Sequence, residues 1–103
     1  MKLITKELKT RFKKIGSQAD KEDPIVIMKL FNPNGVGDWW ITEMYPEDRI
    51  LFGFANLGDL DCAEWGSVSL DELESFRGRF GLGIERDLHW TEKPFSECDP
   101  RKH

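Results

Sequence analysis

Residues 25–55 have the sequence IVIMKLFNPNGVGDWWITEMYPEDRILFGFA, in which three apolar runs are separated by two short polar segments. The runs at 25–31, 39–45 and 50–55 are rich in β-branched and aromatic residues, which is typical of strands. Asn34-Gly35 favours a tight reversal, and Pro46 has a backbone angle suited to a turn. Connections this short pair consecutive strands antiparallel, because a parallel pair needs a long crossover.

The chain on either side of this segment extends the sheet and adds two helices. A fourth strand is predicted at 62–68, and Ile84 to Trp90 is predicted to be a short edge strand. Helices at 5–15 and directly after the fourth strand complete an α+β fold with a four- to five-stranded antiparallel meander. A chain of 103 residues fits a single domain, residues 1–103. We expect its core at about 1–92 and a polar tail at 93–103.

Both helices have recognisable start signals. Thr5 is a suitable N-cap for the first helix, and Gly16 is a suitable stop. Ser69 and Glu72 form a capping box for the second helix, in which the Ser hydroxyl accepts a free backbone N–H. This second helix is expected to end at Gly78. The apolar spacing predicts that four helix side chains enter one core, namely Leu8, Phe12, Leu73 and Phe76.

Aromatic side chains are concentrated on the predicted strands. They are Trp39, Trp40, Tyr45, Phe52, Phe54 and Trp65. Aromatic rings exposed on a sheet stack on bases in proteins that bind single strands. The same strands carry Glu43 and Glu64, which repel phosphate, so packing in the core is favoured for most of these rings. Adjacent Trp39 and Trp40 point to opposite faces of a strand, so at least one is expected to be exposed or covered by a helix.

The net charge of −4 is unevenly distributed along the chain. Residues 37–74 contain ten Asp and Glu against Arg49 alone, a net charge of −9. Such a surface repels nucleic acid and attracts basic protein surfaces, although it also serves simply to keep a protein soluble. The candidate partner-binding residues are Glu43, Glu47, Asp48, Asp59, Asp61 and Glu64. Arg49, isolated among these acids, is expected to form an internal ion pair.

Residues 1–16 have the opposite character, with six Lys and Arg against Glu7. A basic helix permits contact with the phosphates of a nucleic acid. The alternative candidate site is therefore a nucleic-acid-binding one, formed by Lys6, Lys9, Arg11 and Lys13.

No catalytic or metal site is predicted. Glu85, Asp87 and His89 alternate, so on a strand they would share a face suited to a divalent cation, but charged residues are also typical of an exposed sheet edge. Cys62 with His89 as a base shows no sign of activation, and a half-buried structural thiol on a strand is favoured. His103 is expected to be a surface residue. We therefore expect neither enzyme activity nor a cofactor.

The cysteines and the apolar segments bear on the compartment. Cys62 and Cys98 have neither zinc-site spacing nor the density of a disulfide framework, which is typical of a reducing compartment. The N-terminal residues lack the apolar run of a signal peptide, and no stretch approaches the roughly 18 apolar residues that span a membrane. We expect a cytoplasmic protein without a membrane partner.

Six segments carry a resemblance to a known family. They are Met1 to Leu8, Lys29 to Pro33, Trp40 to Glu43, Phe52-Gly53, Leu70 to Glu74, and Gly81 to Trp90. Together they resemble a bacterial domain-of-unknown-function family that is common on plasmids, phages and other mobile elements. The segment from Ile84 to Trp90 is the most specific part. Gly83 stands where the family usually has Pro, and Trp90 where it usually has Phe.

Small proteins similar to this family include anti-CRISPR proteins, which inhibit the RNA-guided nuclease of type II CRISPR systems. The resemblance therefore implies an inhibitor that binds such a nuclease stoichiometrically, in the cytoplasm of a bacterial host, and turns over no substrate. Its partner would be the effector nuclease or the complex of that nuclease with its guide RNA. The alternative is a nucleic-acid-binding accessory protein of plasmids or phages. A metal-dependent hydrolase using Glu85, Asp87 and His89 is a third function.

Overall fold

The computed structural model describes residues 2–102, which form two helices, seven strands and three short 3₁₀ segments. The helices are α1 (Lys6–Ile15) and α2 (Leu70–Ser75). The strands are β1 (Ile25–Val26), β2 (Met28–Phe31), β3 (Asp38–Tyr45), β4 (Ile50–Asn56), β5 (Glu64–Ser69), β6 (Glu85–Arg86) and β7 (Lys93–Pro94). The 3₁₀ segments are Leu60–Cys62, Arg79–Gly81 and Phe95–Glu97. His103, expected at the surface, lies outside the described residues.

Five strands form an antiparallel sheet in the order β5-β4-β3-β2-β6. The predicted α+β fold and its antiparallel meander are confirmed, with β6 as the fifth strand beside β2. The predicted strand at 25–31 is divided, because β1 leaves this sheet and pairs with β7 instead. No helix formed by residues 2–102 has the length and apolar character needed to cross a membrane.

The helix starts follow their predicted caps. The Thr5 hydroxyl accepts the Leu8 N–H at 3.1 Å, and the Ser69 hydroxyl accepts the Glu72 N–H at 3.2 Å. The helix α1 ends at Ile15 and is followed by the predicted stop residue Gly16, which has a positive φ of 64°. The end of α2 was predicted wrongly, since the helix stops at Ser75 and does not reach Gly78.

The predicted core role of Phe76 is also wrong. Phe76 lies beyond the last turn of α2 in an extended conformation, and its side chain is 41% exposed. The other three predicted helix residues do contribute to the core. Phe12 and Leu73 are buried, and Leu8 packs against them while partly exposed.

Both faces of the sheet are covered, each by its own apolar cluster. The helix face carries the larger cluster, in which Phe12 of α1 packs with Met28, Leu30, Trp39, Ile41 and Leu51. The opposite face, here called the tail face, carries Val26, Trp40, Phe54 and Phe95. Trp39 and Trp40 therefore point to opposite faces and are both buried. Phe95 shows that the predicted polar tail contributes a ring to the interior.

A β-bulge interrupts the pairing of β3 with β4. Ile41 pairs with Gly53 and Glu43 pairs with Phe52, so Thr42 is an extra residue in β3. A Cβ at position 53 would lie 2.1 Å from the Trp40 carbonyl oxygen, so the bulge requires glycine there. The Thr42 carbonyl, displaced from the regular ladder, accepts a hydrogen bond from the buried Gln18 Nε2 at 2.7 Å.

The bulge leads us to expect different effects of alanine at Gly53 and at Gly66, the two glycines that pair across β4 and β5. Gly53→Ala is expected to lower the free energy of unfolding by about 2–3 kcal/mol, because its methyl group collides with backbone rather than with a movable side chain. Gly66 is the matched control, since a Cβ there meets no atom within 4 Å. Gly66→Ala should be neutral or raise stability by up to about 1 kcal/mol. Urea unfolding followed by tryptophan fluorescence measures the free energy of unfolding of both variants. Equal effects of the two substitutions would contradict the requirement for glycine at position 53.

Candidate functional site

The six acidic residues predicted to contact a partner do not share one face. Glu47 and Asp48 are exposed in the turn between β3 and β4. The other exposed acids lie within residues 59–64, beyond the opposite end of β4. Since β4 has seven residues and a strand rises about 3.3 Å per residue, the two groups are about 20 Å apart. Glu43 belongs to neither group, because it is buried within β3.

The acidic segment 59–64 is held in a defined conformation. The Asp59 carboxylate accepts the Asp61 N–H at 2.9 Å and so caps the 3₁₀ segment. Asp59, Asp61 and Glu64 are exposed, and none of them forms a salt bridge within residues 2–102. Their charge is therefore directed to solvent and is open to a basic partner.

An apolar groove lies beside this segment on the helix face of the sheet. The groove encloses about 370 Å³. Its inner surface includes Trp39, Ile41, Gly53, Gly66 and Val68, and its rim includes Asp59, Cys62 and Glu64. We call it the β4–β5 groove. It combines an apolar interior with an acidic rim, which suits a partner segment that is itself both apolar and basic.

The strand β5 is an open edge of the sheet next to this groove. The Leu70 N–H donates to the Arg49 carbonyl at 2.9 Å, which marks a hydrogen-bonded pair. Because such pairs alternate along an antiparallel ladder, the backbone N–H and C=O groups of Trp65 and Ser67 point away from β4. An extended segment of a partner can bind such an edge through main-chain hydrogen bonds.

Glu43 lies on the tail face and lines a second cavity, of about 410 Å³. We call this cavity the Glu43 pocket; its lining includes Gln18, Glu43, Tyr45, Phe52 and Trp65. The Tyr45 hydroxyl donates to Glu43 Oε1 at 3.4 Å. Burial raises the pKa of the Tyr45 phenol, and the nearby Glu43 carboxylate raises it further. No sequence pattern points to Gln18 or to the assembly of this pocket, because both depend on the bulge.

The predicted nucleic-acid-binding residues lie on α1, and three of the four are available. Lys6, Lys9 and Lys13 are exposed, and no salt bridge engages them within residues 2–102. Arg11 instead forms a bidentate pair with Glu92, in which Nε donates to Oε2 at 3.0 Å and Nη2 donates to Oε1 at 2.9 Å. Hydrogen bonding to Glu92 raises the pKa of Arg11, so this guanidinium is already engaged.

The alternation of Glu85, Asp87 and His89 does not produce a shared face. The strand β6 ends at Arg86, and the Asp87 carboxylate turns back to accept the His89 N–H at 2.9 Å. Within residues 2–102 no three Asp, Glu, His or Cys side chains are close enough to hold a metal ion.

The predicted environment of Cys62 is wrong. Cys62 lies in the 3₁₀ segment before β5 and is exposed, rather than half-buried on a strand. His89 follows the strand at the opposite edge of the sheet, so the fold does not place it as a base for this thiol.

Arg49 forms the predicted internal ion pair. Its guanidinium bonds the carboxylates of Asp71 and Glu74 on α2. The hydrogen bond to Asp71, followed by the charges of both carboxylates, raises the pKa of Arg49. These two acids of the 37–74 block therefore share one internal cation, which offsets only part of their charge.

The C-terminal segment holds one wall of the Glu43 pocket. Phe95 packs edge-on against Trp65, with ring centroids 4.7 Å apart. Asp23 anchors this segment by accepting from the Ser96 N–H and hydroxyl, and within the segment Asp99 forms a bidentate pair with Arg101. The Asp99 side chain is buried, and hydrogen bonds from Arg101 lower its pKa.

Comparison with known proteins identifies a family without a described activity. A family model described as a protein of unknown function, DUF2958, matches residues 3–98. This match confirms the expectation of a domain-of-unknown-function family. No curated protein and no solved structure matches the chain.

The pair of Asp99 and Arg101 predicts a defined pH dependence of stability. Folding lowers the pKa of this carboxylate from about 3.8, its value in the unfolded chain. The carboxylate therefore stabilises the folded protein at pH values above 3.8, and this contribution is lost as the pH falls through the lower pKa of the folded state. Asp99→Asn should therefore lower the free energy of unfolding at pH 7. The difference in the free energy of unfolding between this variant and the unmodified protein should shrink below about pH 4. Urea unfolding at several pH values measures this, with Asp20→Asn on the exposed loop as the control; a difference that stays constant on acidification would contradict it.

Proposed function

We propose that this chain, which belongs to the DUF2958 family of proteins of unknown function, is a binding protein that inhibits a type II RNA-guided nuclease stoichiometrically and without catalysis. The observation that carries the binding role is the acidic segment 59–64, whose exposed and unpaired carboxylates border an apolar groove at an open sheet edge. A protein with this function acts in the cytoplasm of a bacterial host.

The chemistry of the target supports this choice of surface. Nucleases of this class hold nucleic acid in a strongly basic channel and read a short flanking motif with arginines. Carboxylates on a small domain complement such a channel, and complementary charge speeds association. The β5 edge adds main-chain hydrogen bonds, and the groove adds a place for an apolar side chain. The choice of an RNA-guided nuclease, rather than another basic protein, rests on the family resemblance.

Nucleic-acid binding is the second candidate function, and one observation favours it. Lys2, Lys6 and Lys9 surround a cavity of about 310 Å³ at the start of α1, and the ion pair of Arg49 with Glu74 completes its lining. Its lysines are exposed, so phosphate groups have access to them. In this second function the protein would contact guide RNA or DNA directly, in line with an accessory role on plasmids or phages.

Cleavage of target DNA by purified nuclease and guide RNA, with and without this protein, tests the proposed function. We expect inhibition that is complete near equimolar protein. The double variant Asp61→Lys with Glu64→Lys should raise the concentration for half-inhibition about tenfold and reduce its dependence on salt, because both changes reverse charge at the proposed contact. Asp59 is left unchanged because it caps the 3₁₀ segment.

The matched control reverses exposed charge elsewhere, in Lys9→Glu with Lys13→Glu on α1. This control should inhibit as well as the unmodified protein, and urea unfolding should confirm that both double variants are folded. A lack of inhibition at several-fold molar excess against several type II nucleases would refute the nuclease as target. If inhibition is lost only in the variant with Lys9→Glu and Lys13→Glu, the protein acts through contact with nucleic acid rather than through its acidic segment.

A further inference from the structure

A buried carboxylate without a cationic partner faces the Glu43 pocket. Glu43 is only 4% exposed, and within residues 2–102 the sole hydrogen bond of its side chain comes from the Tyr45 hydroxyl at 3.4 Å. No lysine, arginine or histidine of these residues forms an ion pair with it. Burying a charge is costly unless an opposite charge or several hydrogen bonds compensate for it. The unpaired oxygen of Glu43 is not sealed in the interior but opens onto the pocket, where a cationic group from outside can reach it.

The walls of the pocket are aromatic and lie next to this carboxylate. Phe52 is directly opposite Glu43 on the neighbouring strand, and its ring stacks on Trp65 with centroids 6.1 Å apart and planes at 18°. Tyr45 follows two residues after Glu43 and is 45% exposed at the mouth. Aromatic faces attract cations through their quadrupole, and rings gathered around a cavity form the cages that bind ammonium groups.

The size and charge of the pocket also select its ligand. Its volume of about 410 Å³ falls within the range of roughly 300–1,000 Å³ that small-ligand sites occupy. An anion would be repelled by Glu43, and an uncharged apolar group would leave the buried carboxylate unpaired. A cation with an alkyl stem satisfies both the carboxylate and the rings, as lysine and arginine side chains do.

We propose that the Glu43 pocket binds an organic cation, the ammonium or guanidinium head of a basic side chain on a partner. Glu43 supplies the opposite charge, and Phe52, Trp65 and Tyr45 enclose the head and its alkyl stem. This site lies on the tail face, apart from the acidic segment 59–64, and it does not depend on a nuclease being the target.

The chain itself offers one competitor for this position. Among the described residues that line the pocket, Lys21 is the only basic one, and it lies on the exposed loop that precedes β1. Glu22 beside it keeps the lining net negative, so an external cation remains favoured. Removing the Lys21 ammonium with Lys21→Ala is therefore expected to strengthen cation binding about twofold or more.

Titration of the ¹⁵N-labelled protein with n-butylammonium, n-butylguanidinium and tetramethylammonium tests the proposal at constant ionic strength. We expect saturable amide shifts confined to residues 43–45, 52 and 65 and to the Trp65 indole. The uncharged molecule tert-butanol, which is close to tetramethylammonium in size and shape, should give no such shifts. Glu43→Gln, which keeps the size and hydrogen-bonding oxygen, should weaken binding at least tenfold, and Phe52→Leu should weaken it about threefold. The tighter of the butyl cations identifies lysine or arginine as the natural head group.

Several outcomes would overturn the proposal. They are the absence of saturable shifts with all three cations, equal shifts with tert-butanol, and undiminished binding by a folded Glu43→Gln variant. Binding that appears only in Lys21→Ala would also overturn it, because the pocket of the natural chain would then be closed by its own lysine. Each outcome is independent of the nuclease assay, so failure here leaves the inhibitor proposal standing and the reverse is equally true.

Discussion

The side-chain alternation of β3 changes at Thr42, where this strand has one residue more than β4 opposite it. Before the bulge, Trp40 faces the tail and Ile41 faces the helices; after it, Glu43 faces the tail and Met44 the helices. Regular alternation would have carried Glu43 and Tyr45 into the larger apolar cluster and Met44 out of it. One extra residue thus keeps a carboxylate out of the main core and places it beside Phe52.

The bulge in turn depends on distant parts of the chain. Gly53 provides the space for the Trp40 carbonyl, and Gln18, from the loop after α1, bonds the displaced Thr42 carbonyl. Gln18 also exchanges hydrogen bonds with the backbone of Ile25, through its amide nitrogen and oxygen. A buried carbonyl without such a partner would cost free energy, so the loop and the bulge stabilise each other.

Local signals in the sequence account for most of the fold. The caps at Thr5 and Ser69 and the short turns act over a few residues, and each gave the right element. The errors arise where a distant contact decides the outcome. The early end of α2 exposes Phe76, while β1 turns away from the sheet to pair with β7, and Phe95 enters the core after an otherwise polar segment. The candidate acids follow the same rule, since their types were visible in the sequence but their separation and the burial of Glu43 were not.

The position of β5 relates the two candidate binding surfaces to each other. The β4–β5 groove lies on its helix face and the Glu43 pocket lies towards its tail face, with Trp65 contributing to the lining of both. Successive side chains of a strand point to opposite faces. An extended segment paired with the β5 edge would therefore direct alternate side chains towards the acidic rim and towards the aromatic face. Because the rim is exposed and Glu43 is buried, salt would screen the first contact far more than the second. The order of the two faces along one edge thus favours a partner strand that carries basic residues on both of its sides.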